Sequence, residues 1–352
     1  MSRNFWSGKS VFITGHTGFK GSWLTFWLNH LGANVTGFSE GVAHHPSLFE
    51  ALNLDSLCND FRGDVRNREQ ITAAVKDAAP DIIFHLAAQP LVRRSYREPV
   101  ETFETNILGT VNILEASRSS PRTKALINVT TDKVYENIEA RHGYREHDRL
   151  GGHDPYSASK VCSEIVTSCY ARSFPNDCNP ITIRAGNIIG GGDWSEDRLL
   201  PDAVRQFSAK SVLLIRNPDA VRPWQHVADA LRGYLIIGER AYLGSLTERA
   251  YNLGPAHDQV ASVSDVLSFA VEFWGRDAAW KVVEESSKLK ETNKLLLDSS
   301  LAKSELNWRS QLDLRSSIQQ TIEWYKLFYA RAGFRELRQL TTKQIQSVMG
   351  EF

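Results

Sequence analysis

A tyrosine and a lysine, Tyr156 and Lys160, lie four residues apart, and a glycine-rich turn precedes them in the chain. The turn places Gly15, Gly18 and Gly21 at three-residue intervals directly after an apolar segment. Tyrosine beside lysine can move a proton to or from a hydroxyl group, and a glycine turn that opens a helix can hold a pyrophosphate. Each pattern alone is common. Together, in this order, they favour a nicotinamide-dependent enzyme that acts on a hydroxyl group.

The tyrosine and lysine are the candidate proton-transfer pair. A tyrosine hydroxyl has an unperturbed pKa of about 10, which makes it a poor base at neutral pH. Residues four apart share one face of a helix, so we expect the Lys160 ammonium to favour the Tyr156 phenolate. Thr131, just after a predicted strand, is expected to hydrogen-bond the same hydroxyl. A surface tyrosine and lysine on a solvated helix is the alternative interpretation.

The glycine turn is the candidate dinucleotide site. Its spacing is G-x-x-G-x-x-G rather than the more general G-x-G-x-x-G, and its place between a strand and a helix predicts pyrophosphate binding. A tight turn without a ligand is the alternative. Ser39 and Glu40 are equally placed to bind the adenosine ribose, which leaves the choice between NAD and NADP open. Asp64 is predicted to end the third strand and reach the adenine, with a helix N-cap as the alternative.

Asp132 and Lys133 directly follow Thr131, at the predicted carboxyl end of a parallel strand. Two charged side chains there suit a crevice better than a core. A carboxyl group beside a hydride-transfer site supplies an acid, which the oxidation of an alcohol does not require. The alternative is a helix cap followed by a solvated lysine.

Alternating strands and helices must position these residues. The predicted strands are 10–14, 34–38, 61–64, 81–86, 124–130 and 180–184, and an apolar stripe over 21–31 (Trp23, Leu24, Trp27, Leu28 and Leu31) predicts the first helix. This alternation predicts the α/β class, with a doubly wound parallel sheet and helices on both faces. Ligands of such sheets bind at the carboxyl ends of the strands.

The regular alternation of predicted strands and helices ends near Asn187, which predicts two domains. Residues 1–187 are expected to form the dinucleotide-binding domain, whose sheet is completed by a helix and strand within about 226–254. Residues 188–225 and 255–352 are expected to form a smaller mixed lobe that binds the substrate. Only short, irregular elements are predicted before His226, and helices are predicted over 262–273 and 316–330.

Composition excludes several classes of protein. The chain has 352 residues, of which 42% are hydrophobic, and its 41 basic residues equal its 41 acidic ones. No basic stripe with interleaved aromatic residues stands out, so nucleic acid is not expected as a partner. The four cysteines match no zinc or redox spacing, which predicts reduced thiols and no metal. Without a signal peptide or an apolar segment near the roughly 18 residues of a membrane span, a soluble cytoplasmic protein is expected.

Longer motifs identify a family. The glycine turn, Leu86–Gln89 (LAAQ), Asn106–Thr110 (NILGT) and Y-x-x-x-K resemble the extended short-chain dehydrogenases that modify nucleotide sugars. More narrowly, three segments resemble the CDP-glucose 4,6-dehydratases: Thr131–Tyr135 (TDKVY), Arg184–Trp194 (RAGNIIGGGDW) and Arg222–Val227 (RPWQHV). The resemblance runs from about residue 5 to 330. It implies a Rossmann domain that binds NAD, a CDP-glucose substrate, and a homodimer built on helices near Asn106 and Tyr156.

The resemblance also implies a reaction. Tyr156 takes the proton of the glucose 4-hydroxyl while C4 passes a hydride to NAD. A base then removes the C5 proton as Asp132 protonates the departing 6-hydroxyl. The hydride returns to C6, which leaves a 4-keto-6-deoxy sugar on CDP for deoxysugar (lipopolysaccharide O-antigen type) biosynthesis. Related dTDP-glucose dehydratases have Glu where this chain has Lys133, so the C5 base is Lys133, a water or another residue.

The residues expected to bind ligands follow from these motifs. The predicted substrate contacts are Gln89, Asn187, Arg198 and Arg222; for Asn187 a turn residue and for Arg198 a surface charge are the alternatives. The predicted cofactor contacts are Gly15, Thr17, Gly18, Phe19, Gly21, Asp64, Leu86, Ala87, Ala88, Thr130, Tyr156 and Lys160.

Two other functions compete with a dehydratase. A nucleotide-sugar 4-epimerase would share Tyr156 and Lys160 but would need no acid at Asp132. A nicotinamide-sensing regulatory protein of the same fold would need neither Tyr156 nor Lys160, and the presence of both disfavours it.

Overall fold

The computed structural model describes residues 4–140, 142–175, 178–255, 260–283 and 295–349. The strands in these ranges are β1 Ser10–Thr14, β2 Asn34–Ser39, β3 Asn59–Arg62, β4 Ile82–His85, β5 Ala125–Val129, β6 Asn179–Ala185, β7 Ile188–Ile189, β8 Val212–Ile215, β9 Val221–Arg222, β10 Gln225–His226, β11 Ala250–Leu253, β12 Ala261–Ser262 and β13 Ala279–Val282. The α-helices are α1 Phe19–His30, α2 Leu48–Ala51, α3 Arg68–Ala78, α4 Val92–Arg97, α5 Pro99–Phe103, α6 Gly109–Arg118, α7 Pro155–Ser173, α8 Leu199–Ser208, α9 Val227–Tyr242, α10 Val263–Trp274, α11 Ser300–Leu306, α12 Leu314–Tyr329 and α13 Phe334–Val348.

A parallel sheet forms the centre of the molecule. In the described residues it has seven strands in the order β11-β6-β5-β4-β1-β2-β3, and every neighbouring pair is parallel. The predicted doubly wound sheet is therefore confirmed. The strand order reverses between β1 and β4, and ligands of such sheets bind at the carboxyl ends of the strands beside that reversal.

The strands match the predictions most closely where they are buried. Every residue of β4 and β5 is buried, and such strands show continuous apolar segments in the sequence. The third strand is displaced: it spans Asn59–Arg62 rather than 61–64, so Asp64 lies two residues beyond it. This strand is at the edge of the sheet and mostly exposed, which removes the apolar pattern that marks a strand.

Helix α1 is more deeply buried than its predicted stripe. Trp23, Leu24, Trp27 and Leu28 are fully buried as predicted, but Phe26 on another face is also only 6% exposed. Helices α2 and α9 both contact α1, so more than one of its faces is covered. The glycine turn is therefore followed by a rigid helix.

The segments assigned to the substrate lobe carry more regular structure than expected. Residues 199–208 form the helix α8, and β8 pairs in parallel with β13. The last helix, α13, contacts α9, and its Arg338 donates hydrogen bonds to the Leu52 and Asn53 carbonyl groups. The end of the chain is therefore packed on the dinucleotide-binding side, and the division into two domains stays a prediction.

Candidate active site

A cavity of about 740 Å³ lies at the carboxyl ends of the central strands. It is lined by the segments that follow β1, β4, β5 and β6 and, on the opposite side, by residues of α8, β8 and β9. Seventeen of the predicted site residues line it: Gly15, Thr17, Gly18, Phe19, Gly21, Asp64, Leu86, Ala87, Ala88, Thr130, Thr131, Asp132, Lys133, Tyr156, Asn187, Arg198 and Arg222. The fold thus collects residues from distant motifs around one space.

The glycine turn needs its glycines for steric reasons. Gly15 has a left-handed φ of 73°, and a Cβ there would lie 2.7 Å from the Ala87 nitrogen. A Cβ on Gly21 would overlap the Gly15 carbonyl oxygen, which would separate the turn from the helix. Gly18 is the N-cap of α1, and no side chain caps that helix end in the described structure. The open end of α1 fits a pyrophosphate, because helix N–H groups and the helix dipole favour an anion there.

Acidic residues lie at the outer end of the same crevice. The Arg66 guanidinium donates to Glu40 at 2.9 Å and to Asp64 at 2.7 Å, and all three lie near the ends of β2 and β3. Asp64 is not a helix N-cap, since Asn67 caps α3. Ser39 and Glu40 both line the cavity. Paired carboxylates at this position suit the hydroxyl groups of a ribose.

Tyr156 lies in the first turn of α7, where the helix meets the cavity. Asp154 caps the helix by accepting a hydrogen bond from the Ser157 N–H, and Pro155 begins it. Burial raises the pKa of Tyr156 to about 12, although the Arg198 cation and a hydrogen bond with Thr131 oppose this rise. The phenol is therefore protonated at neutral pH in the protein without ligands, and proton transfer needs further positive charge nearby.

Lys160 is anchored below the cavity. Its Nζ donates to the Val129 carbonyl oxygen at 3.1 Å, at the last residue of β5, and it is not among the cavity-lining residues described. Burial and, to a smaller extent, the Lys20 cation lower its pKa to about 7, and the Glu164 carboxylate opposes both. Lys160 thus titrates near neutral pH, where its charge responds to small changes in its surroundings.

Asp132 and Lys133 lie in a short 3-10 turn after β5. Asp132 is fully buried; its Oδ1 accepts a hydrogen bond from the Thr131 hydroxyl at 3.0 Å, and its Oδ2 has no partner among the described residues. A Cβ on Gly186 would overlap this Oδ2, so glycine there makes room for the carboxyl group. The Lys133 Nζ lies 3.9 Å from Asp132 Oδ1 on a side chain that is 34% exposed. The helix-cap alternative for Asp132 is wrong, because Thr131 is the N-cap.

The predicted substrate contacts differ in their surroundings. Asn187 adopts a left-handed φ of 43°, as a turn residue does, and its buried Nδ2 has no partner in the part of the chain described. Gln89 does not line the cavity: its side-chain amide donates to Leu91 and Thr102 and accepts from the Leu91 N–H. The polar atoms of Gln89 are therefore already paired within the protein, and its contact with the substrate stays a prediction.

Sequence reasoning missed several charged residues that line the cavity. Lys20 lies between Gly18 and Gly21; burial and the Arg198 cation lower its pKa to about 8, while Asp132 and Asp193 oppose this. Its position inside the glycine turn was the signal in the sequence that could have identified Lys20 as a site residue. Arg93 and Asp197 form an ion pair of 3.1 Å that joins α4 to the segment before α8. No sequence pattern marks that pair, because its members are 104 residues apart.

The described residues contain neither a membrane-spanning helix nor a cluster of metal ligands. Within the ranges described, no helix is long and apolar enough to cross a membrane. In those same ranges, no three His, Cys, Asp or Glu side chains form a group that could hold a metal ion.

Comparisons with known proteins agree with this geometry. The family model for the NAD dependent epimerase/dehydratase family matches residues 11–254. A CDP-glucose 4,6-dehydratase of Salmonella typhimurium is 42% identical over 334 residues, which cover 93% of each chain. A dTDP-glucose 4,6-dehydratase of Shigella flexneri is 26% identical, with 90% of this chain and 92% of that protein covered.

Solved structures show the same fold. A UDP-glucose 4-epimerase of Brucella ovis in complex with NAD has a TM-score of 0.79 at 20% identity, covering 90% of this chain and 98% of that one. A dTDP-glucose 4,6-dehydratase of Bacillus anthracis in complex with NAD has a TM-score of 0.77 at 20% identity, covering 93% and 99%. From its own motifs, its sheet and the extent of the family match, this chain belongs to the NAD-dependent epimerase/dehydratase family.

Proposed function

We propose that this protein catalyses the 4,6-dehydration of CDP-glucose with NAD as a bound cofactor. The observation that carries the proposal is the buried Asp132 carboxyl group beside Thr131 and Tyr156 in one cavity, with one oxygen that has no partner among the described residues. A 4-epimerase needs proton transfer at the 4-hydroxyl but has no use for an acid at this place. The relative with 42% identity, a CDP-glucose 4,6-dehydratase, supports the same activity.

The residues of the crevice fit NAD. The glycine turn and the open end of α1 would hold the pyrophosphate, with Thr17 and Phe19 beside it. Glu40 and Asp64 would bind the adenosine ribose and adenine, and the segments after β4 and β5, Leu86–Ala88 and Thr130, would hold the nicotinamide end. When bound, NAD accepts a hydride from C4 of the glucose and later supplies it to C6.

Tyr156 is the base for the first half of the reaction. Its phenol oxygen removes the proton of the sugar 4-hydroxyl, and Thr131 hydrogen-bonds Tyr156 and positions the same hydroxyl. With its pKa raised to about 12 by burial, the phenol cannot act at neutral pH without positive charge. Lys160 provides such a charge in its protonated form.

Asp132 and Lys133 act in the second half of the reaction, the elimination of the 6-hydroxyl. Asp132 protonates the departing 6-hydroxyl through Oδ2, which has no partner in the described part of the chain, and Thr131 orients the carboxyl group through Oδ1. Lys133 is the candidate base for the C5 proton, since its amine lies 3.9 Å from Asp132 on the cavity wall. A base there must be neutral, which requires Lys133 to lose its proton.

Three cavity-lining residues are suited to the nucleotide. Arg198 and Arg222 line the cavity and carry guanidinium groups that match a diphosphate. The Asn187 Nδ2, buried and without a partner among the described residues, is a donor available to the same ligand. These residues would hold CDP while the sugar extends towards Tyr156.

One incubation tests the proposed function. Purified protein with NAD is mixed with CDP-glucose, and the nucleotide sugar is analysed by mass spectrometry. A dehydratase yields a product that has lost one water. An unchanged mass with an altered sugar configuration would identify an epimerase, and no reaction in the presence of tightly bound NAD would favour a regulatory protein.

We also propose that the protein works as a cytoplasmic homodimer. Val100 on α5, Leu108 before α6 and Ile165 on α7 are 68%, 52% and 58% exposed, and their helices contact one another. Exposed apolar groups on neighbouring helices are typical of an interface. Cys58, Cys162 and Cys169 are free thiols, as a reducing compartment favours. Light scattering measures the mass of the native protein and of an Ile165→Lys variant. If the dimer is built on this surface, the native protein should have the mass of a dimer and the variant that of a monomer.

A further inference from the structure

A buried ion pair lies behind the active site. Glu164 on α7 and Arg184 on β6 are each 4% exposed, and their side chains meet in two hydrogen bonds of 2.9 and 2.7 Å. Glu164 also accepts hydrogen bonds from the hydroxyls of Thr130 and Thr182, at 2.6 and 3.1 Å. Each of the two carboxylate oxygens thus accepts two hydrogen bonds. An ion pair in a protein interior is kept only when its polar atoms are hydrogen-bonded in this way.

The pair is joined to the catalytic segment by two adjacent anchors. Lys160 donates to the Val129 carbonyl, and one helical turn later Glu164 accepts from the Thr130 hydroxyl. Thr131 and Asp132 follow directly in the chain. The two side chains of α7 therefore hold the end of β5 from one face, and the orientation of Thr131 depends on both.

The charges around Lys160 come from several elements. Lys20 on α1 repels it and Glu164 on α7 attracts it, and Tyr156 is a titratable group in the first turn of the same helix. His85 on β4 is buried and neutral, because burial and the Lys160 charge lower its pKa to about 3. Arg184 balances Glu164. The Glu164 carboxylate thus raises the pKa of Lys160, and its own counter-ion, Arg184, lies on β6.

We propose that Glu164, held by Arg184, is a positioning residue that keeps Lys160 in its cationic form and fixes the end of β5 for catalysis. Neither Glu164 nor Arg184 is among the described residues that line the cavity. The role rests on the proposed function, in which the Lys160 cation supports proton removal by Tyr156.

Opposite charge changes at the two partners separate an electrostatic role from a structural one. Glu164→Gln leaves Arg184 as an unbalanced cation, so the pKa of Lys160 should fall. Arg184→Gln leaves Glu164 as an unbalanced anion, so the pKa of Lys160 should rise. We expect the pH profile of C4 oxidation to move by about 1–2 pH units in these opposite directions. The Glu164→Gln/Arg184→Gln double variant restores neutrality and should return close to the native profile.

Two measurements keep the test decisive. The Lys160 Cε resonance, followed by NMR in cofactor-free protein labelled with ¹³C-lysine and assigned with Lys160→Met, reports its titration independently of activity. Glu164→Asp retains the charge and serves as the matched control if Glu164→Gln unfolds. Shifts of the resonance in opposite directions support the inference even if CDP-glucose is not the substrate. Unchanged titration in the folded single variants, or equal losses of rate with unchanged pH profiles, would overturn it.

Discussion

Replacing Asp132 by asparagine should separate the two halves of the reaction. Asp132 is fully buried and Thr131 donates to its Oδ1. Asparagine retains an Oδ1 that can accept this hydrogen bond. Its amide nitrogen takes the place of Oδ2, which has no partner among the described residues. The side chain retains its volume next to Gly186, so we expect the variant to fold and to bind NAD as before. What it loses is the proton for the 6-hydroxyl.

The size of the effect follows from that loss. A positioned general acid contributes typically 10²–10⁴ in rate, or about 2.7–5.4 kcal/mol of barrier. Elimination should slow by this factor. Oxidation at C4 should remain within a few-fold of native, because it requires Tyr156, Thr131 and Lys160 but not an acid. The intermediate with reduced nicotinamide, consumed as it forms in the native enzyme, should therefore accumulate.

Single-turnover absorbance at the reduced-nicotinamide band measures both halves in one experiment. Lys133→Met is the matched contrast, because it should abolish exchange of the C5 hydrogen with deuterated solvent, whereas Asp132→Asn should retain that exchange. Equal slowing of C4 oxidation and of elimination in Asp132→Asn, without accumulation of reduced nicotinamide, would refute the assignment of the acid. Exchange that persists in Lys133→Met would assign the C5 base to water or another group.

Four further tests concern the catalytic base, the choice of nucleotide, the glycine turn and the buried lysine. Tyr156→Phe should abolish turnover while CDP-glucose affinity stays within a few-fold, since only the phenol oxygen is lost; native turnover would exclude Tyr156 as the base. CDP-glucose should exceed dTDP-glucose by at least about tenfold in kcat/KM, because leaving one polar group of the base site unpaired costs roughly 1–3 kcal/mol; equal values would contradict the choice of nucleotide. Gly21→Ala should weaken NAD binding in calorimetry by about tenfold or more, because its Cβ overlaps the Gly15 carbonyl. Burial depresses the pKa of Lys160 to about 7, so the unfolded state binds more protons from about pH 7 to 10 and stability should rise with pH there; Lys160→Met should lose this part of the rise in thermal melts.

Much of the fold was predictable because buried strands and helix periodicity are local signals. The strands β1, β2, β4, β5 and β6 lie within a residue or two of their predicted bounds. The edge strand β3 was displaced because an exposed strand carries no continuous apolar pattern. The helix α8 was missed among residues expected to be irregular, since its formation is stabilised by packing on the lobe, with Leu200, Ala203 and Phe207 buried.

The sequence by itself determined which chemistry the chain carries. Tyr156, Lys160, the glycine turn and Asp132 are recognisable because their spacing along one helix or turn already places their functional atoms. Only the tertiary structure decided which polar groups remain available for ligands. Gln89 is paired within the protein, whereas Asp132 and Asn187 each keep a buried atom without a partner among the described residues.

Tertiary structure also sets the charge of the catalytic groups. The pKa of Lys160 depends on burial and on Lys20, which lies 140 residues earlier, and the pair of Glu164 with Arg184 joins a helix to a strand. No local pattern contains this information, because the strength of a charge interaction depends on distance and burial in space. The sequence therefore identifies the reacting groups, and the folded chain determines the protonation state in which they act.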